Sequence, residues 1–174
     1  MASGSSRAAV LGAGSWGTAL ALHLATVGHE VALWGRDNSL IESTAATRIN
    51  SSYLPAVSLP PSVHVTASLP DALGGARFVV VAVPSHGLRT VIAEAVPFLD
   101  SAAVLVSATK GLEGGSHLRM SEVLAEESGG GRPVVVLSGP SFAAEVARQA
   151  PTALVAASPD AAAVRLVQDE FRSA

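Results

Sequence analysis

The chain has 174 residues, a net charge of −3, 49% hydrophobic residues and no cysteine. That length suits one domain with a core that needs no covalent staple; the missing cysteines exclude disulfides, thiolate zinc sites and iron–sulfur clusters and accord with a cytoplasmic home. Mean hydropathy is high at +0.43, but the longest aliphatic run, "FVVVAVP", is far short of the about 20 residues that cross a bilayer, and 4% aromatics without a basic face argue against a nucleic-acid partner.

The first seven residues, "MASGSSR", are small and polar. They read as a disordered leader (1–7) before a dinucleotide-binding domain over 8–174. "AAVLGAG" is the first apolar strand. Trp16, Leu20, Leu24 and Val27 then make one apolar stripe at helical spacing, and Gly28 is placed to end that helix. "EVALWGRD" is the second strand, and "SLIESTAA" a helix that Asp37 or Asn38 would cap. "NSSYLPAVSLPPSV" has little periodicity and reads as the longest loop, either a surface excursion or a segment packed near a cofactor. "VHVTA", "FVVVAVP", "AAVLVSATKG", "PVVVLSGP" and "TALVAAS" are further strands; "LRTVIAEAVPFL", "LRMSEVLAEES" and "DAAAVRLVQDEFRSA" are further helices. Several strands are continuously apolar, the mark of strands buried on both faces. The expected fold is α/β: a Rossmann-like, doubly wound, mostly parallel sheet with helices on both faces.

Gly12, Gly14 and Gly17 form a G-x-G-x-x-G pattern between the first strand and the first helix, which is the context that makes this pattern specific for a dinucleotide. Gly12 allows the tight turn, Gly14 lets backbone approach a pyrophosphate, and Gly17 lets helix and strand pack closely. Ser15 and Trp16 open the helix that would face the anion; Trp16 also begins the apolar stripe and is equally a core residue. The second strand ends in Arg36 and Asp37 side by side. An arginine there accepts the 2′-phosphate of NADP, an acid the 2′-hydroxyl of NAD. We assign Arg36 to the phosphate and Asp37 to a cap, which prefers NADP and allows NAD.

Three strands run out into "AVPSHG", "SATKG" and "SGPSFA". In an open parallel sheet, ligands bind outside the carboxyl ends of the strands, so Pro84 and Ser85 are placed to face a cofactor. Ser141 is either a helix cap or a pocket residue. The histidines have no metal-binding spacing: His23 and His29 read as surface residues, and His86, in the loop after the fourth strand, is the one placed to touch a cofactor. Glu126 and Glu127 read as a solvated helix face. Lys110 is the single lysine among eleven basic residues. A compact ammonium at a strand end can hold a carbonyl oxygen without the width of a guanidinium, here the oxygen on the carbon that receives hydride.

The motifs "GAGSWGTALA", "WGRD", "YLP", "AVPS", "SATKG", "MSEVLAEE" and "LSGPSFAAEVA", in that order, resemble the bacterial-type glycerol-3-phosphate dehydrogenases that use NAD(P). The resemblance covers the chain from about Ala8 onward. It implies hydride transfer between NAD(P)H and dihydroxyacetone phosphate to give sn-glycerol 3-phosphate for phospholipid synthesis, in a cytoplasmic enzyme without a metal and with a homodimer as its expected assembly. It also implies cofactor contacts at Ser15, Trp16, Arg36, Tyr53, Lys110 and Ala143, and substrate contacts at Lys110, Gly139 and Ser141. In that family a second, helical domain supplies the general acid/base lysine. The chain therefore reads as the cofactor domain, expected to bind NAD(P) weakly and not to turn over alone. Other two-domain dehydrogenases of the 6-phosphogluconate or 3-hydroxy-acid type, or a non-catalytic nucleotide-binding module, are the rival readings; the first would lack "SATKG" with "SGPSFA", the second would need an effector element.

Overall fold

A computed structural model describes residues 6–173. Seven strands form one sheet: β1 (Arg7–Leu11), β2 (Glu30–Trp34), β3 (Val63–Thr66), β4 (Phe78–Val81), β5 (Val104–Ser107), β6 (Val134–Ser138) and β7 (Val155–Ala157). Their order is β3-β2-β1-β4-β5-β6-β7. All neighbours are parallel except β7, which pairs antiparallel with β6. The order reverses between β1 and β4, which is the doubly wound arrangement whose crevice lies at the carboxyl ends of those two strands.

Six helices connect the strands, α1 (Ser15–Thr26), α2 (Asn38–Thr47), α3 (Leu69–Leu73), α4 (Ser85–Ala95), α5 (Met120–Glu127) and α6 (Ala143–Ala147), and α7 (Ala161–Phe171) follows the last strand. Because side chains alternate along a strand, Ala8 and Val10 of β1 pack on one face with Leu20 and Leu24 of α1 and Val167 of α7. Ala9 and Leu11 pack on the other with Leu73 of α3, Leu88 and Ile92 of α4, and Val123 and Leu124 of α5. Each fully buried Val, Leu or Phe contributes about 1.5–3 kcal/mol, against about 0–1 kcal/mol for an exposed ion pair. The two apolar layers, not the surface charges, hold this fold.

The differences from the expected elements are local. α3 follows from "SLPDALGG", too short to show periodicity; Ser68 caps it by accepting from the Asp71 amide. α4 begins at Ser85 and stops at Ala95, where Pro97 turns the chain into a short 3₁₀ segment, Val96–Phe98. Gly28 has φ +109 and follows α1 as expected. Ser6 and Arg7 belong to the fold rather than to a leader: Arg7 pairs with Glu30 and the Ser6 hydroxyl donates to Glu170 at 3.0 Å; residues 1–5 lie outside the described residues. His29 is not at the surface. It is 3% exposed, and its Nε2 bonds the Glu170 carbonyl at 2.8 Å. Arg77 donates to the Glu170 carboxylate at 2.8 Å. This cluster pins α7 beneath the amino ends of the strands, on the side opposite the crevice. His23 likewise is half-buried and bonds the Phe171 carbonyl.

The long loop is a packed structure. Asn50, 1% exposed, donates through Nδ2 to the Ala13 carbonyl at 2.8 Å and to Thr18 Oγ1 at 2.9 Å. Its Oδ1 accepts from the Tyr53 amide. Arg48, in the left-handed region at φ 60, donates to the carbonyls of Leu59, Pro60 and Val63 and closes the loop's base. The loop is therefore packed on the glycine-rich turn through Asn50. Asn50→Ala leaves buried acceptors unpaired and is expected to cost about 1–3 kcal/mol, read as a lower urea midpoint with an unchanged slope.

Candidate dinucleotide site

The turn after β1 is built by sterics. Gly12 has φ +119, and a Cβ there would lie 2.6 Å from the Ala82 carbonyl oxygen. Its amide donates to the Trp34 carbonyl at 2.9 Å, tying the turn to β2. A Cβ on Gly17 would lie 1.8 Å from the Gly12 oxygen, whereas one on Gly14 would meet nothing within 4 Å. The two outer glycines serve the protein's own packing; the middle one faces free space at the amino end of α1, where unpaired amides and the helix dipole favour an anion. Gly14 is the helix N-cap and offers no side-chain cap of its own.

A cleft of about 590 Å³ opens over this turn. Its walls are Gly12 to Trp16 from the turn, Trp34 to Asp37 and Leu40 from the β2–α2 region, and Tyr53 from the long loop. The far wall is Ala82 to Pro84 after β4, Ala108 to Lys110 after β5, and Ser141 to Ala143 after β6. Gly12, Gly14, Ser15, Trp16, Arg36, Tyr53, Pro84, Lys110, Ser141 and Ala143 are thus brought to one cleft by five strand ends and a loop. Gly17 and Gly139 stand behind it. Gly139, at φ 155, instead lets the chain pass close to the Ala153 carbonyl. A larger hollow of about 660 Å³ between α1, α6 and α7 is lined by residues such as Leu20, Leu154 and Phe171 and includes none of the glycine turn.

The adenosine end separates the adjacent pair. Asp37 caps α2: its carboxylate accepts from Ser39 Oγ at 2.7 Å and from the Leu40 amide at 3.1 Å. The Ser39 hydroxyl first, then the Leu40 amide, hold this carboxyl below the usual aspartate range. Arg36 is exposed, and its guanidinium lies over Gly87 in the first turn of α4. Among the described residues no carboxylate comes within ion-pair distance of it.

Ser15 donates to the Tyr53 carbonyl at 2.8 Å, so the helix start and the loop are fastened together with the exposed Tyr53 ring at the cleft edge. Trp16 lines the cleft and also packs against the core. After β5, Thr109 donates to the carbonyls of Val81 and Val83 at 3.2 and 2.9 Å. That bond pins the chain just before Lys110, which is exposed in the cleft and has no carboxylate partner among the described residues.

Three expectations change. Ser141 is not the cap of α6, since Phe142 holds that position; the Ser141 hydroxyl has only a 3.5 Å contact to the Gly139 carbonyl. His86 is exposed on the first turn of α4 and is not part of the cleft wall. Glu126 is exposed as expected, but Glu127 is half-buried and both carboxylates pair with Arg89 rather than standing free. Sequence reasoning missed Thr109, Leu40 and Phe142. Phe142 is 70% exposed and lines the cleft; its place inside "SGPSFA" was the available signal. Among the described residues there is no group of three His, Asp or Glu that could hold a metal, and no helix is long and apolar enough to cross a membrane.

A glycine-turn cleft at the reversal point of a doubly wound sheet is the arrangement of a dinucleotide-binding domain. Comparison with known proteins gives the family. Residues 7–164 match the family model described as NAD-dependent glycerol-3-phosphate dehydrogenase N-terminus, and the chain belongs to this family. It is 51% identical over 150 residues to a glycerol-3-phosphate dehydrogenase [NAD(P)+] of Thioalkalivibrio sulfidiphilus, covering 86% of this chain and 45% of the relative. It is 47% identical over 169 residues to the same-named protein of Koribacter versatilis, covering 95% and 50%. A crystal structure of glycerol-3-phosphate dehydrogenase from Coxiella burnetii superposes with a TM-score of 0.92 at 36% identity, over 98% of this chain and 52% of that one. The chain spans about half the length of the relatives it matches.

Proposed function

We propose that this domain holds NADPH, and NADH less well, for hydride transfer to dihydroxyacetone phosphate, giving sn-glycerol 3-phosphate. The observation that carries the reading is Lys110, the single lysine, set in the same cleft as the glycine turn and without a carboxylate partner among the described residues. When bound, the reduced nicotinamide supplies the hydride. The turn amides and Ser15 hold the pyrophosphate, while Trp16, Tyr53, Pro84 and Ala143 bound the cofactor. Lys110 donates to the substrate's carbonyl oxygen and stabilises the charge that grows there. Ser141, whose hydroxyl has no close partner, bounds the substrate, with Gly139 setting the backbone turn just before it. The test is a chimera in which residues 7–164 replace the matching segment of the Thioalkalivibrio sulfidiphilus relative. It should oxidise NADPH when dihydroxyacetone phosphate is added; a folded chimera that binds NADPH without oxidising it would refute the substrate.

Cofactor choice is tested on this chain directly. A guanidinium bonded to a 2′-phosphate contributes roughly 1.5–3 kcal/mol, so Arg36→Ala is expected to weaken NADPH by about tenfold or more and leave NADH nearly unchanged. Calorimetric titration reads both affinities. Equal losses for the two cofactors would remove Arg36 from the phosphate.

A further inference from the structure

Arg89 lies on α4, one helical turn beyond Ser85, and is outside the cleft. Its guanidinium faces four carboxylate oxygens. Nε donates to Glu113 Oε1 at 2.7 Å and Nη2 to Glu113 Oε2 at 2.8 Å, a bidentate pair. Nη2 also reaches Glu126 at 3.0 Å and Nη1 reaches Glu127 at 2.5 Å, both on α5. A planar fork of this kind fixes orientation as well as distance.

Glu113 is the centre of the loop that follows Lys110. Its amide donates to the Leu118 carbonyl, its own carbonyl accepts from the His117 amide, and its Oε2 accepts from Ser116 Oγ at 2.6 Å. Leu112 bridges to Arg119 at the loop's base. Gly111, at φ +103, lies against Ser85, since a Cβ added there would be 3.5 Å from Ser85 Oγ. Arg89 first, then Ser116, draw the Glu113 carboxyl down to about 2, so the pair is charged throughout the neutral range. Lys110 therefore sits between two anchors. Thr109 is fastened to the end of β4, and Glu113 to α4.

We propose that Arg89 is a positioning residue for Lys110: by clamping Glu113 onto α4 it holds the loop after β5 so that the Lys110 ammonium stays in the dinucleotide cleft. The proposal rests on the reading of Lys110 given above and extends it to a residue that touches neither cofactor nor substrate. It also separates the three carboxylates: Glu113 carries the positioning, while Glu126 and Glu127 only fasten α5 to α4.

A chain with one lysine makes the test direct, because lysine-selective ¹⁵N labelling yields a single backbone amide signal, that of Lys110. In the wild type the signal should be single and should shift when NADPH is added. In Arg89→Gln it should broaden or split, exchange with solvent at least about tenfold faster through local opening, and lose most of its NADPH shift. Glu113→Gln, a loop substitution that leaves the core intact, should reproduce this if Arg89→Gln does not fold. Glu126→Gln should not disturb the signal. A Lys110 signal that shifts with NADPH identically in wild type, Arg89→Gln and Glu113→Gln would overturn the clamp. An equal disturbance from Glu126→Gln would also overturn it, since a general electrostatic effect would then suffice. No shift in the wild type on NADPH addition would overturn the cleft reading and the clamp together.

Discussion

Gly17→Ala should unfold or severely destabilise this domain, by about 3 kcal/mol or more, whereas Gly14→Ala should leave its stability nearly unchanged. The two glycines are three residues apart in one motif, yet they answer to different forces. A Cβ at Gly17 would lie 1.8 Å from the Gly12 oxygen and 3.0 Å from the Gly12 carbon. Those are backbone atoms, and Gly12 is held by its bond to Trp34, so neither side can yield. Overpacking that has to move a backbone lies at or beyond the top of the usual 1–3 kcal/mol range. The chain accepts a glycine inside α1, at a helix-propensity cost of about 1 kcal/mol, because nothing larger fits. Gly14 has φ −76 and open space around its absent side chain, so alanine there costs less than about 1 kcal/mol as an altered cap. Its methyl group would enter the space assigned to the pyrophosphate, and NADPH affinity should fall by about tenfold, on the scale of one lost hydrogen bond to a charged group. Urea denaturation and NADPH titration of the two variants test both statements. A Gly17→Ala protein as stable as wild type would refute the close approach; a Gly14→Ala protein that binds NADPH normally would place the pyrophosphate elsewhere.

Lys110→Met should lower kcat of the chimera by about 100- to 1,000-fold, the cost of removing one donor aimed at a developing oxyanion, with a much smaller change in NADPH affinity. Methionine keeps the length of the stem and removes the charge. Lys110→Arg restores the charge but replaces a point donor with a wide planar group between Thr109, which is fastened to β4, and Gly111, which lies against Ser85. It should recover little of the activity. A Lys110→Met chimera within tenfold of the parent would show that Lys110 is a solvated strand-end residue.

The fold and half of the site were legible because their signals are local. Continuous valine runs announced strands buried on both faces, which β4 and β5 are; all seven expected strands are present, with β7 partly exposed. The glycine pattern announced its turn because each glycine answers a constraint set within a few residues. Asp37 was readable as a cap from its place before α2, and the structure shows its carboxylate turned to the helix start, which leaves Arg36 as the exposed cation of that pair. β7 was read as a strand, but its antiparallel direction is set by the path of the chain after α6, which no local pattern encodes.

Residues whose roles depend on distant partners were misread. His29 looked like a turn residue and is buried because α7, 141 positions later in the chain, brings the Glu170 carbonyl to it. Asn50, read only as the first residue of the long loop, is the buried tie between that loop and the glycine turn. Glu126 and Glu127 gave no sign of a partner until α4 packed beside α5 and supplied Arg89.

By itself, then, the sequence determined the strand-and-helix alternation, the glycine turn and the singular lysine at a strand end, since each is a matter of neighbouring residues and short-range sterics. Only the tertiary structure decided that Tyr53, Arg36, Lys110 and Phe142 share one cleft, and that Arg89 reaches the loop behind Lys110. Those facts depend on which strand ends the sheet order sets side by side, and sheet order arises from packing two helix layers against one buried sheet.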